Sequence, residues 1–164
     1  MMNNKYQKNE LVLLPEIKKL AKTNLPWSLL LAADPEKEKV QQYLVDGTGF
    51  IWQKGQTTYG VIVFVTRESE FEIMNVAVAT DLQGKGIGYT LLLYTLKELQ
   101  NIKTMQQKII VRTGSLTSNA LHLYKKLGFI EQSREKDYFI KNYKSPIYEN
   151  GELLRDQVTL EKTI

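Results

Sequence analysis

The chain has 164 residues, 43% of them hydrophobic and 24% charged, with a net charge of +4, which suits one soluble globular domain with room for a sizeable core. It contains no cysteine, which excludes disulfides, thiolate metal sites and cysteine nucleophiles, and its single histidine, His122, excludes a multi-histidine metal centre. The lysines are scattered and form no basic stripe with interleaved aromatics, which speaks against nucleic acid, while the longest apolar stretch, around Trp27–Ala33, is too short to span a bilayer.

In chain order, residues 14–22 read as a short helix, interrupted by Leu25-Pro26. A second helical piece follows Asp34-Pro35 toward Leu44, with Asp34 as N-cap and Pro35 at the first helical position. Residues 47–53 and 58–66 read as strands joined by a turn at Lys54-Gly55-Gln56, and residues 70–79 as a third strand. Residues 89–99 form an amphipathic helix and residues 108–113 another apolar strand. From Ser118 the pattern is helical again, capped by Ser118 or Asn119 and stopped by Gly128, with Ala120, Leu121, Tyr124 and Leu127 on one face. His122, between Leu121 and Leu123, is expected at the surface. The tail reads as two strands, 136–141 and 157–162, separated by a long connection containing Pro146, Asn150 and Gly151. No repeat or linker breaks the chain, so residues 1–164 are expected to form one domain. The polar N-terminus lacks the apolar core of a secretion signal, which points to the cytoplasm.

The segment richest in chemistry is Gln83-Gly84-Lys85-Gly86-Ile87-Gly88, followed by Tyr89. A strand leads in and a helix leads out. Glycines let the backbone approach a ligand, and the free N–H groups of a first helical turn point at it with the positive end of the helix dipole, so an anion is expected here. A P-loop would need Ser or Thr after its Gly-Lys pair, and a dinucleotide fingerprint would need Gly-x-Gly-x-x-Gly; the alternating glycines at 84, 86 and 88 suit neither.

With Gln83, Gly86 and Gly88 in register, Gln-x-x-Gly-x-Gly resembles motif A of the GNAT superfamily of N-acetyltransferases, and residues 118–129, ending in Leu127-Gly128-Phe129, look like its motif B. The resemblance implies an α/β (α+β) GNAT fold: a central mixed, mostly antiparallel sheet of about six to seven strands flanked by helices, ordered β-α-α-β-β-β-α-β-α-β-β. It also implies acetyl-CoA as co-substrate and no metal. The pyrophosphate would lie on the loop from Gln83 through Gly84, Lys85, Gly86, Ile87 and Gly88 to Tyr89. The acetyl group would lie along Val76, Ala77 and Val78, where a backbone N–H meets the oxyanion of the tetrahedral intermediate. Motif B often carries an asparagine about two turns before its tyrosine that hydrogen-bonds the pantetheine arm of the cofactor; Thr117 occupies that place here, and Asn119, closer in, is the cofactor-binding candidate together with Tyr124.

The acceptor would be a primary amine, on a small molecule or a protein. An alkylammonium with a pKa near 10 must lose a proton before it attacks. The resemblance points to Glu72 as the base, with Glu70 the fallback on the same strand. Tyr124 resembles the tyrosine that donates to the departing thiolate. Proton transfer from a phenol near 10 to a thiol near 8.5 is uphill by roughly 2 kcal/mol, so a hydrogen bond can serve without full transfer. Asn75, polar in an apolar strand, is placed to orient acceptor or water, or to satisfy nearby backbone. The connection from Asn142 to Leu154, with Tyr143 and Tyr148, is expected to line the acceptor pocket or to form a contact in a homodimer. The alternative reading is a non-catalytic acyl-CoA-binding sensor or regulatory module.

Overall fold

The protein is described by a computed structural model covering residues 13–116 and 118–164. Along the chain it forms β1 (Pro15–Lys19), α1 (Trp27–Ala33), α2 (Lys37–Leu44), β2 (Thr48–Lys54), β3 (Thr57–Thr66), β4 (Glu70–Val78), a 3₁₀ turn (Thr80–Leu82) and α3 (Ile87–Ile102). There follow β5 (Lys108–Gly114), α4 (Asn119–Lys126), β6 (Ile130–Glu135), α5 (Tyr138–Asn142), the short β7 (Tyr148–Glu149) and β8 (Glu152–Leu153), and β9 (Gln157–Thr163).

A seven-stranded sheet of order β1-β2-β3-β4-β5-β9-β6 organises the molecule. Hairpin-sized connections make β2, β3 and β4 antiparallel, whereas the crossover through α3 makes β4 and β5 parallel. Strand β3 is buried on both faces, and its apolar run alternates between two cores. Ile62 and Phe64 join Phe71, Ile73, Leu91, Leu92 and Tyr124 on the α3–α4 face, while Val61 and Val63 join Leu30, Val40 and Ala77 on the α1–α2 face.

Residues 14–22, expected as a helix, instead contain the edge strand β1, whose register runs from Pro15↔Lys54 to Lys19↔Phe50. Only Ile17 of this strand is partly covered; the proline, glutamate and lysines face water, as befits an edge. An isolated five-residue segment has too little propensity to resist the backbone partners that β2 offers. The second expected helix begins later, with Glu36 as N-cap of α2; Asp34, held extended before Pro35, ends α1 through its N–H to Leu30 O at 3.0 Å.

In the tail, residues 136–141 are not a strand: α5 occupies much of that span, and the strand lies earlier, as β6. All six β6 residues are exposed, so no apolar alternation marks them, and pairing with β9 alone creates the strand. The connection after α5 contains the β7–β8 hairpin, where Asn150 and Gly151 take φ of 49° and 79° as a tight turn of this kind requires.

Candidate active site

Strands β4 and β5 pair from Glu70↔Lys108 to Ile73↔Val111 and then part. Beyond that point β4 pairs only with β3, and Arg112 to Gly114 pair only with β9. A bulge at Met74, between the pairs Val63↔Asn75 and Phe64↔Ile73, bends β4 where it leaves its neighbour. The edge of Val76, Ala77 and Val78 that faces β5 therefore has no strand partner, and Gln83 Nε2 donates to the carbonyl of Val78 at 3.1 Å.

On the α3 side of this opening lies the glycine turn. Gly84 and Gly86 have φ of 74° and 85°, and Gly86 is the N-cap of the sixteen-residue α3. A Cβ on either would meet nothing within 4 Å, so backbone conformation, not space, demands glycine there. Gly88 differs: its Cβ position lies 3.4 Å from Leu123 and 3.6 Å from Val78, which lets α3 run close to α4 and to the end of β4. Gln83, Gly84, Lys85 and Gly86 are exposed, Ile87 is anchored in the core, and the ring of Tyr89 lies under Lys126 Nζ at 5.1 Å. The loop thus offers an exposed run of backbone N–H groups at a positive helix end, beside a lysine.

Tyr124 belongs to the core on this face, 4% exposed, its ring 5.7 Å from that of Phe129. Burial, with no charged or hydrogen-bonding neighbour among the causes, pushes the pKa of its hydroxyl well above the usual phenol value. Ser118 caps α4 by accepting from the N–H of Leu121 at 3.2 Å. Asn119, the first residue of that helix, is exposed, as is His122; Thr117 lies outside the described residues.

The opposite face holds a polar cleft of about 410 Å³. Glu72 forms part of its floor and is 7% exposed; its neighbours Phe71 and Ile73 point into the α3 core, so alternation turns Glu72 toward α2. Its Oε2 accepts from Arg67 at 3.2 Å and its Oε1 from Arg112. Glu70 instead faces Lys108 at 3.8 Å, where the strands are still paired, and does not line the cleft. Helix α2 contributes Lys39 and Tyr43 to the wall, and the tail contributes Tyr138 and Tyr143.

Two polar connections brace these walls. Asn75 Nδ2 donates to Leu30 O at 2.9 Å and to the Tyr43 hydroxyl at 2.8 Å, tying β4 to α1 and α2, while its Oδ1 is buried without a partner. Because Tyr43 accepts there, its own O–H is free to donate, and burial raises its pKa to about 12. Across the cleft the Tyr143 hydroxyl donates to Asp34 Oδ1 at 3.2 Å, Lys39 Nζ stands 4.9 Å over the Tyr143 ring, and the N–H of Lys144 donates to Glu36 Oε1 at 2.6 Å. The connection after α5 therefore does reach the cleft through Tyr143, while Tyr148 is exposed in the hairpin.

Arg67, Arg112, Tyr43 and Asp34 could not be read as cleft residues from the sequence, because they are far apart in the chain and carry no motif of a site. Arg112 alone left a trace, as a charge directly after the apolar run Ile109-Ile110-Val111. Among the described residues no group of three or more His, Cys, Asp or Glu could hold a metal ion, and no helix is long and apolar enough to cross a membrane.

Comparison with known proteins agrees with this geometry. Residues 45–131 match the family model described as an acetyltransferase (GNAT) domain. The uncharacterized N-acetyltransferase YvbK of Bacillus subtilis (strain 168) is 37% identical over 135 residues, covering 82% of this chain and 86% of that protein. Among solved structures, a GNAT family acetyltransferase of Elizabethkingia anophelis with acetyl-CoA bound superposes with a TM-score of 0.84 at 34% identity, covering 92% of this chain and 98% of that one. A Bacillus subtilis acetyltransferase in complex with CoA gives 0.83 at 35% identity, covering 92% and 99%. An IAA acetyltransferase from Bacillus cereus ATCC 14579 gives 0.85 at 38% identity, covering 92% and 100%. The parted parallel strands, the glycine turn and these relatives lead to one conclusion: the chain belongs to the GNAT family of acetyltransferases.

Proposed function

We propose that the chain moves the acetyl group of acetyl-CoA to a primary amine by direct attack in a ternary complex. The observation that carries the reading is the opening between β4 and β5, which has the anion-binding turn on one face and a polar cleft on the other. The pyrophosphate rests on the N–H groups from Gly84 to Gly88 at the start of α3. The thioester carbonyl lies along the unpaired edge of Val76, Ala77 and Val78, where the N–H groups of Val76 and Val78 point away from β3 and can meet an oxyanion; that of Ala77, in step with the Ala79 N–H that donates to Tyr59 O, turns to β3. The relatives solved with acetyl-CoA or CoA support this assignment.

The ammonium first gives up a proton to Glu72, the buried carboxylate of the cleft floor. The amine nitrogen then forms a bond to the acetyl carbon, the tetrahedral intermediate loses a second N–H proton, and the C–S bond breaks. The products are the amide, coenzyme A as thiol after proton uptake, and one proton released overall. Tyr124 donates a hydrogen bond to the departing sulfur; burial makes its phenol a weaker acid still, so it stabilises the thiolate without surrendering its proton.

One observation supports a second role for Glu72. Both of its oxygens already accept from guanidinium groups, which favour the charged carboxylate and leave an incoming proton only the remaining lone pairs. In that reading Glu72 positions Arg67 and Arg112, and the proton leaves through water. Release of coenzyme A across a panel of amines tests the transferase reading, since a sensor module would bind acetyl-CoA without acceptor-dependent turnover.

A further inference from the structure

We infer that the acceptor carries an anionic group next to its amine, a carboxylate held by Arg67 and Arg112, so that the acceptor is an amino acid or a similar zwitterion. The inference rests on the acetyltransferase reading and deepens it. Arg112 is the first β5 residue beyond the last β4–β5 pair, so its guanidinium stands beside the opening where the thioester would lie. Arg67 approaches the same carboxylate from the end of β3, and the two side chains remain 43% and 52% exposed in the cleft.

The hydrogen bonds explain why this pair binds an anion instead of merely neutralising Glu72. Each guanidinium has five N–H donors in a planar fork. Arg67 and Arg112 each give one such bond to Glu72, and their remaining donors have no partner among the described residues. One carboxylate holds two cations, leaving a local excess of one positive charge with donors to spare. That arrangement fits a second carboxylate in bidentate fashion.

Charge balance in the rest of the cleft selects the kind of acceptor. Lys39, Arg67 and Arg112 face Asp34, Asp46 and Glu72, so the ionisable lining sums to no net charge at neutral pH. A polyamine would meet two guanidinium groups beside the reacting carbon, and a phosphate dianion would meet the carboxylates of Asp34 and Asp46. A zwitterion meets neither repulsion. Its ammonium, one carbon from the carboxylate, is brought to the β4–β5 opening by the same contact. The C–N bond forms and the C–S bond breaks as described above, yielding an N-acetyl carboxylate, free coenzyme A and one proton.

The experiment compares free amino acids with their carboxamides, with spermidine and with phosphoethanolamine, reading coenzyme A release at saturating acetyl-CoA. At least one amino acid should exceed its own carboxamide in kcat/KM by about 10- to 100-fold, the range for a charge-assisted hydrogen-bonded pair. Arg67→Ala and Arg112→Ala should each shrink that acid-to-amide ratio toward one, and Arg112→Lys should restore only part of it. Equal rates for acid and amide, or a preference for spermidine or phosphoethanolamine, overturn the proposal. If acetyl-CoA binds but no amine turns over, the transferase reading fails. Calorimetry of the same amino acids and amides on the CoA-loaded protein then decides the subsite, an Arg112-dependent preference for the acid sustaining it and no preference ending it.

Discussion

Glu72 on β4 and Arg112 on β5 join their side chains at the point where the two strands part, one residue past the last pair on β5. Sequence places them 40 residues apart; only the parallel crossover through α3 makes them neighbours. The contact links the floor of the cleft to the edge of the opening, so a change at Glu72 reaches the two guanidinium groups and, in the proposed mechanism, proton transfer.

Glu72→Gln separates the two roles. If Glu72 is the base, turnover should fall about 10²-fold near neutral pH and recover in part at alkaline pH, where more amine is already free. If it only positions the arginines, the loss should be flat with pH and appear mainly in acceptor KM. Rates from pH 6 to 10 with acceptor titrations distinguish these outcomes, and acetyl-CoA affinity should stay unchanged in both.

Tyr124→Phe keeps the ring against Phe129 and deletes a hydroxyl whose pKa is shifted by burial alone. The fold should tolerate it, with a melting temperature within a few degrees of the parent, while turnover drops by about 10²-fold if the hydroxyl serves the thiolate. Thermal melts and steady-state rates on one preparation check it. Unimpaired turnover would remove Tyr124 from the chemistry.

Gly86→Val places a β-branched residue at a φ of 85°, where open space offers no relief from backbone strain. The turn should shift and acetyl-CoA affinity should weaken by about tenfold or more, the equivalent of about one lost hydrogen bond to the pyrophosphate. Gly88→Ala should behave differently, because its Cβ meets Leu123 and Val78 at ordinary contact distance and its φ is unremarkable for any residue. Calorimetry on both variants tests the contrast; equal losses would mean that the turn conformation is not what binds the cofactor.

Asp34 gives a pH prediction whose sign can be worked out. Burial raises its pKa above the ordinary value of 3.8, so the folded state holds this proton to higher pH than the unfolded state. Its contribution to stability is fully present below the unfolded value of 3.8 and is lost in the window where pH climbs from there through the folded pKa. Asp34→Asn keeps the acceptor for the Tyr143 hydroxyl and the Glu36 N–H but cannot titrate. The difference in melting temperature, Asn variant minus parent, should therefore rise with pH across that window; a constant difference would contradict the assignment. Tyr143→Phe, which removes one of the ties between the tail and α1–α2, should raise acceptor KM more than it lowers kcat.

The sequence by itself determined the parts that rest on local chemistry. Glycines with left-handed φ before an amphipathic helix announce their turn wherever they occur, and Ser118 caps α4 through an atom three residues away. The buried strands β3, β4 and β5 are legible because burial requires apolar side chains. Elements created by their neighbours were not legible. Strands β1 and β6 have few or no buried residues, so their sequences carry no periodicity, and backbone partners on β2 and β9 alone make them strands. The cleft is the extreme case. Arg67, Glu72, Arg112, Tyr43, Asp34 and Tyr143 come from separate elements, and the tertiary structure decided their meeting, because charge pairing and hydrogen bonding act across space and leave no spacing in the chain.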